Sequence, residues 1–129
     1  MLARYNIIRG KRPPSDPVPD GIRQDARWRT KHVLRPDEDM VQTYLDSPDD
    51  NAWRKFSKAY FALLDERYRN DQTPFDQLAQ LANDNDVFIG CSCPTKANPR
   101  VDRCHTFLAL DFMNGKYRTL SFELPQTCD

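Results

Sequence analysis

Three of the four cysteines and one of the two histidines fall in one short part of the chain, Cys91-Ser92-Cys93-Pro94 and then, after a polar loop, Cys104-His105. Two chemistries fit these residue types. A thiolate is the first. Residues 106–113 are apolar enough for a packed helix, so Cys104 stands at a helix amino end, where the dipole favours the anionic thiol. Arg103 and His105 flank it, and Lys96 and Arg100 lie in the same loop. Such a thiolate can act as a nucleophile, with His105 as its proton carrier. Zinc is the second. Cys91, Cys93, Cys104 and His105 are the ligand types of a tetrahedral site, although Cys-x-Cys with an adjacent Cys-His is not the usual pair of Cys-x2-Cys motifs. A third reading has no chemistry, with Cys91 a small buried strand residue and Cys104 a helix start.

Several established patterns are excluded. The interval from Cys93 to Arg100 is one residue longer than the Cys-x5-Arg loop with which phosphatase-type enzymes wrap a phosphate. No separate His/Asp pair completes a triad. The His-x-Glu that zinc deaminases carry ahead of Pro-Cys-x-x-Cys is absent.

The elements around these residues set where they meet. Residues 87–91 are a continuous apolar run, as in a strand covered on both faces of a sheet. A loop that leaves such a strand's carboxyl end and enters a helix collects ligands, because unpaired N–H groups and the helix dipole point there. Residues 2–8 form a plausible first strand. If it runs parallel to 87–91, Arg9, Lys11 and Arg12 project near the same edge, and Arg9, Arg12 and Arg100 become the anion contacts.

Residues 10–24 hold Pro13, Pro14, Pro17 and Pro19, which exclude a helix and leave a basic, proline-rich loop. Beyond it come Trp28, read as a packing residue because a lone aromatic among arginines lacks the interleaving of single-strand binders, and His32, a general base, an anion contact, or an exposed or capping residue. Three helix starts follow: Pro36-Asp37-Glu38-Asp39, Ser47-Pro48-Asp49-Asp50, and Thr73-Pro74-Phe75-Asp76 with the threonine as cap. In the second helix Trp53, Phe56, Tyr60, Leu63, Leu64 and Tyr68 recur at three- and four-residue steps, an aromatic stripe read as core rather than a cofactor box. Asn114-Gly115 stops the last helix, residues 116–124 alternate as a half-exposed edge strand, and 125–129, with Cys128, fray. The order describes a small Rossmann-like α/β fold in a single domain, 1–129, with a short, mostly parallel sheet flanked by helices.

Nine Lys/Arg against three acids in residues 1–35 leave the rest of this electroneutral chain with a matching acid excess. The basic third can face an anion or simply be solvated. No stretch approaches the length of a membrane span, and no secretion signal is visible, so the expectation is a cytoplasmic protein with reduced thiols and no membrane partner.

Trp53 to Leu64 (WRKFSKAYFALL), then Leu78-Ala79-Gln80-Leu81-Ala82, then Val87-Phe88-Ile89-Gly90-Cys91 resemble the second half of the YeaO-like proteins, domain of unknown function 488. That family carries a strand-Cys segment and a Cys-His-Arg at the next helix; here the matching residues are Cys91 and Cys104-His105, with Thr106 in place of arginine. A second uncharacterised group with Cys-x-Cys-x-Pro before Cys-His is similar to Cys91-Ser92-Cys93-Pro94 and Cys104-His105. The resemblance spans residues 36–113. Its arginine-rich front is only loosely echoed by Arg9-Gly10-Lys11-Arg12-Pro13-Pro14. It implies a compact α/β fold and an intracellular protein, and the family brings no established activity.

The functional expectation is a site for an anionic ligand, a nucleotide or a nucleic-acid end, at the Cys91–His105 loop, with Cys104 and His105 as the reactive pair. The alternatives are a non-enzymatic zinc module and nucleic-acid binding through the basic amino-terminal third.

Overall fold

Parallel pairing on both edges of Val87–Cys91 organises the chain. The computed structural model describes residues 1–8, 10–92, 95, 96 and 98–123. Strand β1 is Leu2–Asn6, β2 is Ile22–Asp25 and β3 is Val87–Cys91; all three run parallel in the order β1-β3-β2. The register sets Asn6 opposite Cys91 and Asp25 opposite Gly90, so all three carboxyl ends reach one edge. β3 is buried along most of its length, as its unbroken apolar run requires.

β2 takes up the end of the segment read as loop, 10–24, and runs one residue past it. Ile22 N–H donates to Asp86 O (2.9 Å) and Ala26 N–H to Gly90 O (3.0 Å). The prolines end at Pro19, and four residues with a single aliphatic side chain leave no alternating pattern in the sequence. The open second edge of β3 supplies what the local signal lacks.

Helix α1 is Glu38–Asp46, α2 is Asp50–Asn70, α3 is Thr73–Asp84 and α4 is His105–Lys116. Each of the first three start signals opens its helix within two residues. Asp49 caps α2 by accepting from Ala52 N–H (2.7 Å). At α3 the threonine is already helical, and Asp71 accepts its N–H instead (3.1 Å). Asn114-Gly115 does not stop α4, which runs on to Lys116. Gly115 is exposed in that last turn, and the Lys116 amine stays there over the rings of Tyr68 (4.9 Å) and Phe112 (5.5 Å), at the helix's negative end. The expected edge strand reduces, among the described residues, to one parallel bridge between Leu2 and Phe122. The tail at 125–129 lies outside them.

One apolar cluster joins sheet and helices, with Leu2, Leu64, Phe75, Val87, Ile89 and Leu110 among its buried members. α4 lies between α2 and the sheet, which explains why its apolar residues occupy every side. No helix among the described residues is long and apolar enough to cross a membrane.

Candidate functional site

Cys91 ends β3, and Cys104 is the N-cap residue of α4 with His105 in the first turn. All three are buried, and their Sγ and ring-nitrogen atoms lie within 4.8 Å of one another. Neither Cys91 nor Cys104 is in a disulfide. The imidazole is oriented from behind: its Nε2 meets the carbonyl of Ala26, just past β2, at 2.8 Å. A carbonyl only accepts, so Nε2 carries hydrogen and Nδ1 is turned to the sulfurs, 3.9 Å from Cys104 Sγ. The Thr106 hydroxyl donates to Cys104 Sγ (3.1 Å) and accepts from Arg4 Nε (2.8 Å). Burial disfavours the imidazolium, but hydrogen bonds and negative charge from Cys104 and Cys91 outweigh it and raise His105 to about 10.

The aromatic stripe of α2 leads to this cluster. Trp53 stacks on Phe56 (5.3 Å between ring centres), Phe56 on Tyr60 (5.8 Å), and Tyr60 meets the edge of His105 (5.8 Å). Tyr60 is anchored by its hydroxyl donating to Leu34 O (2.5 Å), and its burial pushes the phenol pKa well up. The inner end of the stripe is core, as expected; its outer end is also a wall. Trp53 and Phe56, with Tyr44 and Trp28, line a cavity of about 190 Å³ whose floor holds Cys91, Cys104 and His105.

Among the described residues three arginines line the same cavity, Arg27, Arg29 and Arg103. Arg27 chelates Asp25 (2.8–3.2 Å), whose carboxyl those hydrogen bonds hold below the usual range against the opposing effect of burial, and points Nη1 at Ser92 Oγ (3.3 Å). Arg103 pairs with Asp50 and lies 5.9 Å from the Trp53 ring centre. Arg29 lies over Trp28 at 5.7 Å. Neither Asp25 nor Asp50 lines the cavity, and no carboxylate does among the described residues.

The three predicted residues Cys91, Cys104 and His105 are therefore brought together. Cys93 and Arg9 lie outside the described residues. Arg12, on the parallel edge as expected, folds onto its own loop, donating to Asn6 O (2.5 Å) and Asp16 O (2.6 Å) and pairing with Asp16 (3.3 Å). Arg100 is exposed and pairs with Asp102 (2.7 Å), beside a depression that adjoins the cavity and shares Tyr44, Asn98 and Arg103 with it. Neither lines the cavity. Of the arginines that do, Arg103 stands beside Cys104 in the sequence, whereas Arg27 and Arg29 follow β2, whose existence the sequence hides. Trp28 is half-buried on the cavity wall and lies outside the apolar cluster, so the packing role expected of it is not one within that core.

His32 caps no described helix, since α1 starts at Glu38; it is half-buried and braces the turn ahead of that helix. Its Nδ1 accepts from Leu34 N–H (3.1 Å), and Nε2 bonds Gln24 Oε1 (2.7 Å). Burial, then the charge of His105, lowers its pKa to about 4. A base whose folded pKa is depressed stabilises the fold in its neutral form. That contribution is present above the ordinary value of 6.5 and is lost as pH falls toward about 4. His32→Asn is expected to flatten roughly 3 kcal/mol of acid destabilisation in urea unfolding followed from neutral to pH 4. Parallel curves for variant and parent in that window would remove the assignment.

The model for the active DUF488-N3 subclade matches residues 7–116, reaching further toward the amino terminus than the resemblance at 36–113 and taking in the arginines around β2. Searches of curated proteins and of solved structures returned no match. A match over that much of the chain, spanning both the thiol–imidazole floor and the arginine-lined wall, places it in the DUF488 family, in the subclade described as active DUF488-N3.

Proposed function

We propose that the cavity at the carboxyl edge of the sheet binds an anionic ligand of the nucleotide class, and that Cys104 and His105 form a thiolate–imidazolium pair at its floor. The observation that carries the reading is the composition of the wall: three arginines, a histidine raised to about 10, and no carboxylate among the described lining residues. Such a wall offers N–H donors and positive charge to an anion. Cys104 is the reactive or ligand-contacting thiol and His105 the proton carrier; Arg27 and Arg103 supply the anion contacts. The subclade's description as active accords with chemistry at this floor.

Alkylation by iodoacetamide, in which a thiolate displaces iodide, tests both halves. Cys104 is expected to react as the fast phase at neutral pH, roughly tenfold ahead of the other thiols. Saturating 5′-nucleotide or ribose 5-phosphate should slow that phase, and Cys104→Ser should remove it. Equal rates at all thiols, or a fast phase indifferent to both phosphates, would sink the reading.

Zinc is the second reading, and one observation favours it. Tetrahedral zinc with usual bond lengths sets S and N ligands about 3.6 Å apart, near the 3.9 Å between Cys104 Sγ and His105 Nδ1. The Ala26 carbonyl behind Nε2 is the outer partner that metal-bound histidines use. Elemental analysis of freshly reduced protein separates the two: one zinc per chain selects the metal, none selects the pair.

A further inference from the structure

Both tryptophans of this chain line one small cavity, and each carries an arginine beside it, Arg29 over Trp28 and Arg103 over Trp53. We infer that the ligand joins a planar ring to an anionic group, as a nucleoside monophosphate does, with the ring against the indoles and the phosphate on the adjacent guanidiniums. This deepens the anionic-pocket reading and rests on it.

A pocket for a bare anion needs positive charge and N–H donors; apolar rings beside the charge would only weaken its hydration. Here the cavity carries Tyr44, Trp53 and Phe56 as a continuous aromatic wall, with ring centres 5.3–5.9 Å apart. Core packing accounts for part of that wall, since Tyr44 and Phe56 belong to the apolar cluster. Trp53 also packs against that cluster, but core packing does not account for Trp28, which stands outside the cluster and lines the cavity. Stacking on such rings tolerates any base, because each base has a π-face. Guanidiniums set beside the rings are suited to a group covalently attached to what stacks there, and a phosphate fits their fork.

Size narrows the class. About 190 Å³ is smaller than the roughly 300–1,000 Å³ of pockets that enclose drug-sized ligands, which favours a single nucleotide over a dinucleotide. Ser92, Thr95 and Asn98 add hydroxyl and amide groups to the wall on the side of the β3–α4 loop. They suit a sugar or the edge of a base. The same nucleoside monophosphate unit can come free or as the terminal residue of a strand, and the recognition chemistry is shared.

The test is calorimetric titration of the full chain with adenosine, guanosine, cytidine and uridine 5′-monophosphates, with ribose 5-phosphate, and with a 5′-phosphorylated tetranucleotide. Intrinsic fluorescence is a parallel reporter, since both tryptophans line the cavity. Expected are quenching on nucleotide binding, and affinity for at least one nucleotide about tenfold or more above that for ribose 5-phosphate, the contribution of stacking one base. Trp28→Ala should erase that advantage, lowering nucleotide affinity about tenfold and ribose 5-phosphate affinity by much less, and the retained ribose 5-phosphate binding separates a lost stacking face from a misfolded chain. The tetranucleotide distinguishes the sources: tighter binding than the mononucleotide identifies a strand end, equal or weaker binding the free nucleotide. Ribose 5-phosphate binding as tightly as every nucleotide overturns the ring-recognition inference and leaves the anionic pocket standing. Absence of binding by every phosphate probe overturns both.

Discussion

Gly21→Ala is expected to destabilise the chain by about 3 kcal/mol or more, an effect large for one methyl group on a loop. Two causes coincide. Gly21 has φ +141°, a region that side-chain-bearing residues rarely adopt, and a Cβ there would sit 2.5 Å from Asp86 O and 2.9 Å from the Phe88 ring. That same Asp86 carbonyl accepts the first hydrogen bond of β2, from Ile22 N–H at 2.9 Å. The methyl group therefore pushes β2 off β3 at the point where their pairing begins. Because β2 leads directly to the Ala26 carbonyl that orients His105 and to Arg27 in the cavity wall, the variant should also lose ligand affinity. Gly10→Ala is the control: φ is +86°, but nothing among the described residues lies within 4 Å, so only the milder backbone strain applies. Equal urea midpoints for the two variants would show that the β2 start is not the constraint described.

The second large effect is expected at His105, in metal-free protein. His105→Phe keeps a ring against Tyr60 and removes both the bond to Ala26 O and the charge facing the two sulfurs. An unpaired buried carbonyl costs about 1–3 kcal/mol, and the lost charge interaction adds to it, so about 3 kcal/mol or more is expected at neutral pH. The pH dependence carries a sign opposite to that of His32. A group whose folded pKa is raised, here from 6.5 to about 10, contributes stability that is fully present below 6.5 and lost as pH rises through about 10. Parent protein should therefore lose stability relative to His105→Phe between neutral and alkaline pH. A difference between the two that does not change with pH would mean that the imidazole is neutral when folded, and the thiolate–imidazolium pair would fall with it.

The two histidines illustrate what tertiary structure adds to a residue type. Their sequence surroundings are alike, each with a basic neighbour, Lys31 before His32 and Arg103 two residues before His105. Folding buries His105 and half-buries His32, yet one faces two cysteine sulfurs and the other a backbone N–H and a glutamine oxygen. Their pKa values consequently part by several units in opposite directions.

Periodicity and local capping chemistry were enough to read the four helices, the buried strand at 87–91 and the strand-to-helix loop as the location of the thiols, because those signals act over a few residues. Asp49 capping α2 and the three- and four-residue steps of its aromatic face are local facts. The resemblance to the DUF488 family was legible for the same reason, since it lies in motif order along the chain. What the sequence could not carry was anything decided by the second edge of β3. β2 has no pattern of its own and exists because it pairs there, and with it come Arg27, Arg29, Trp28 and the Ala26 carbonyl. Which arginines face the cavity likewise depends on competition for partners: Arg12 and Arg100 are taken by nearby Asp16 and Asp102, whereas Arg27 and Arg103 are held by Asp25 and Asp50 in positions that still border the cavity. Helix limits and ligand types are set by neighbours in sequence, but the composition of a cavity wall is set by pairing between segments more than sixty residues apart.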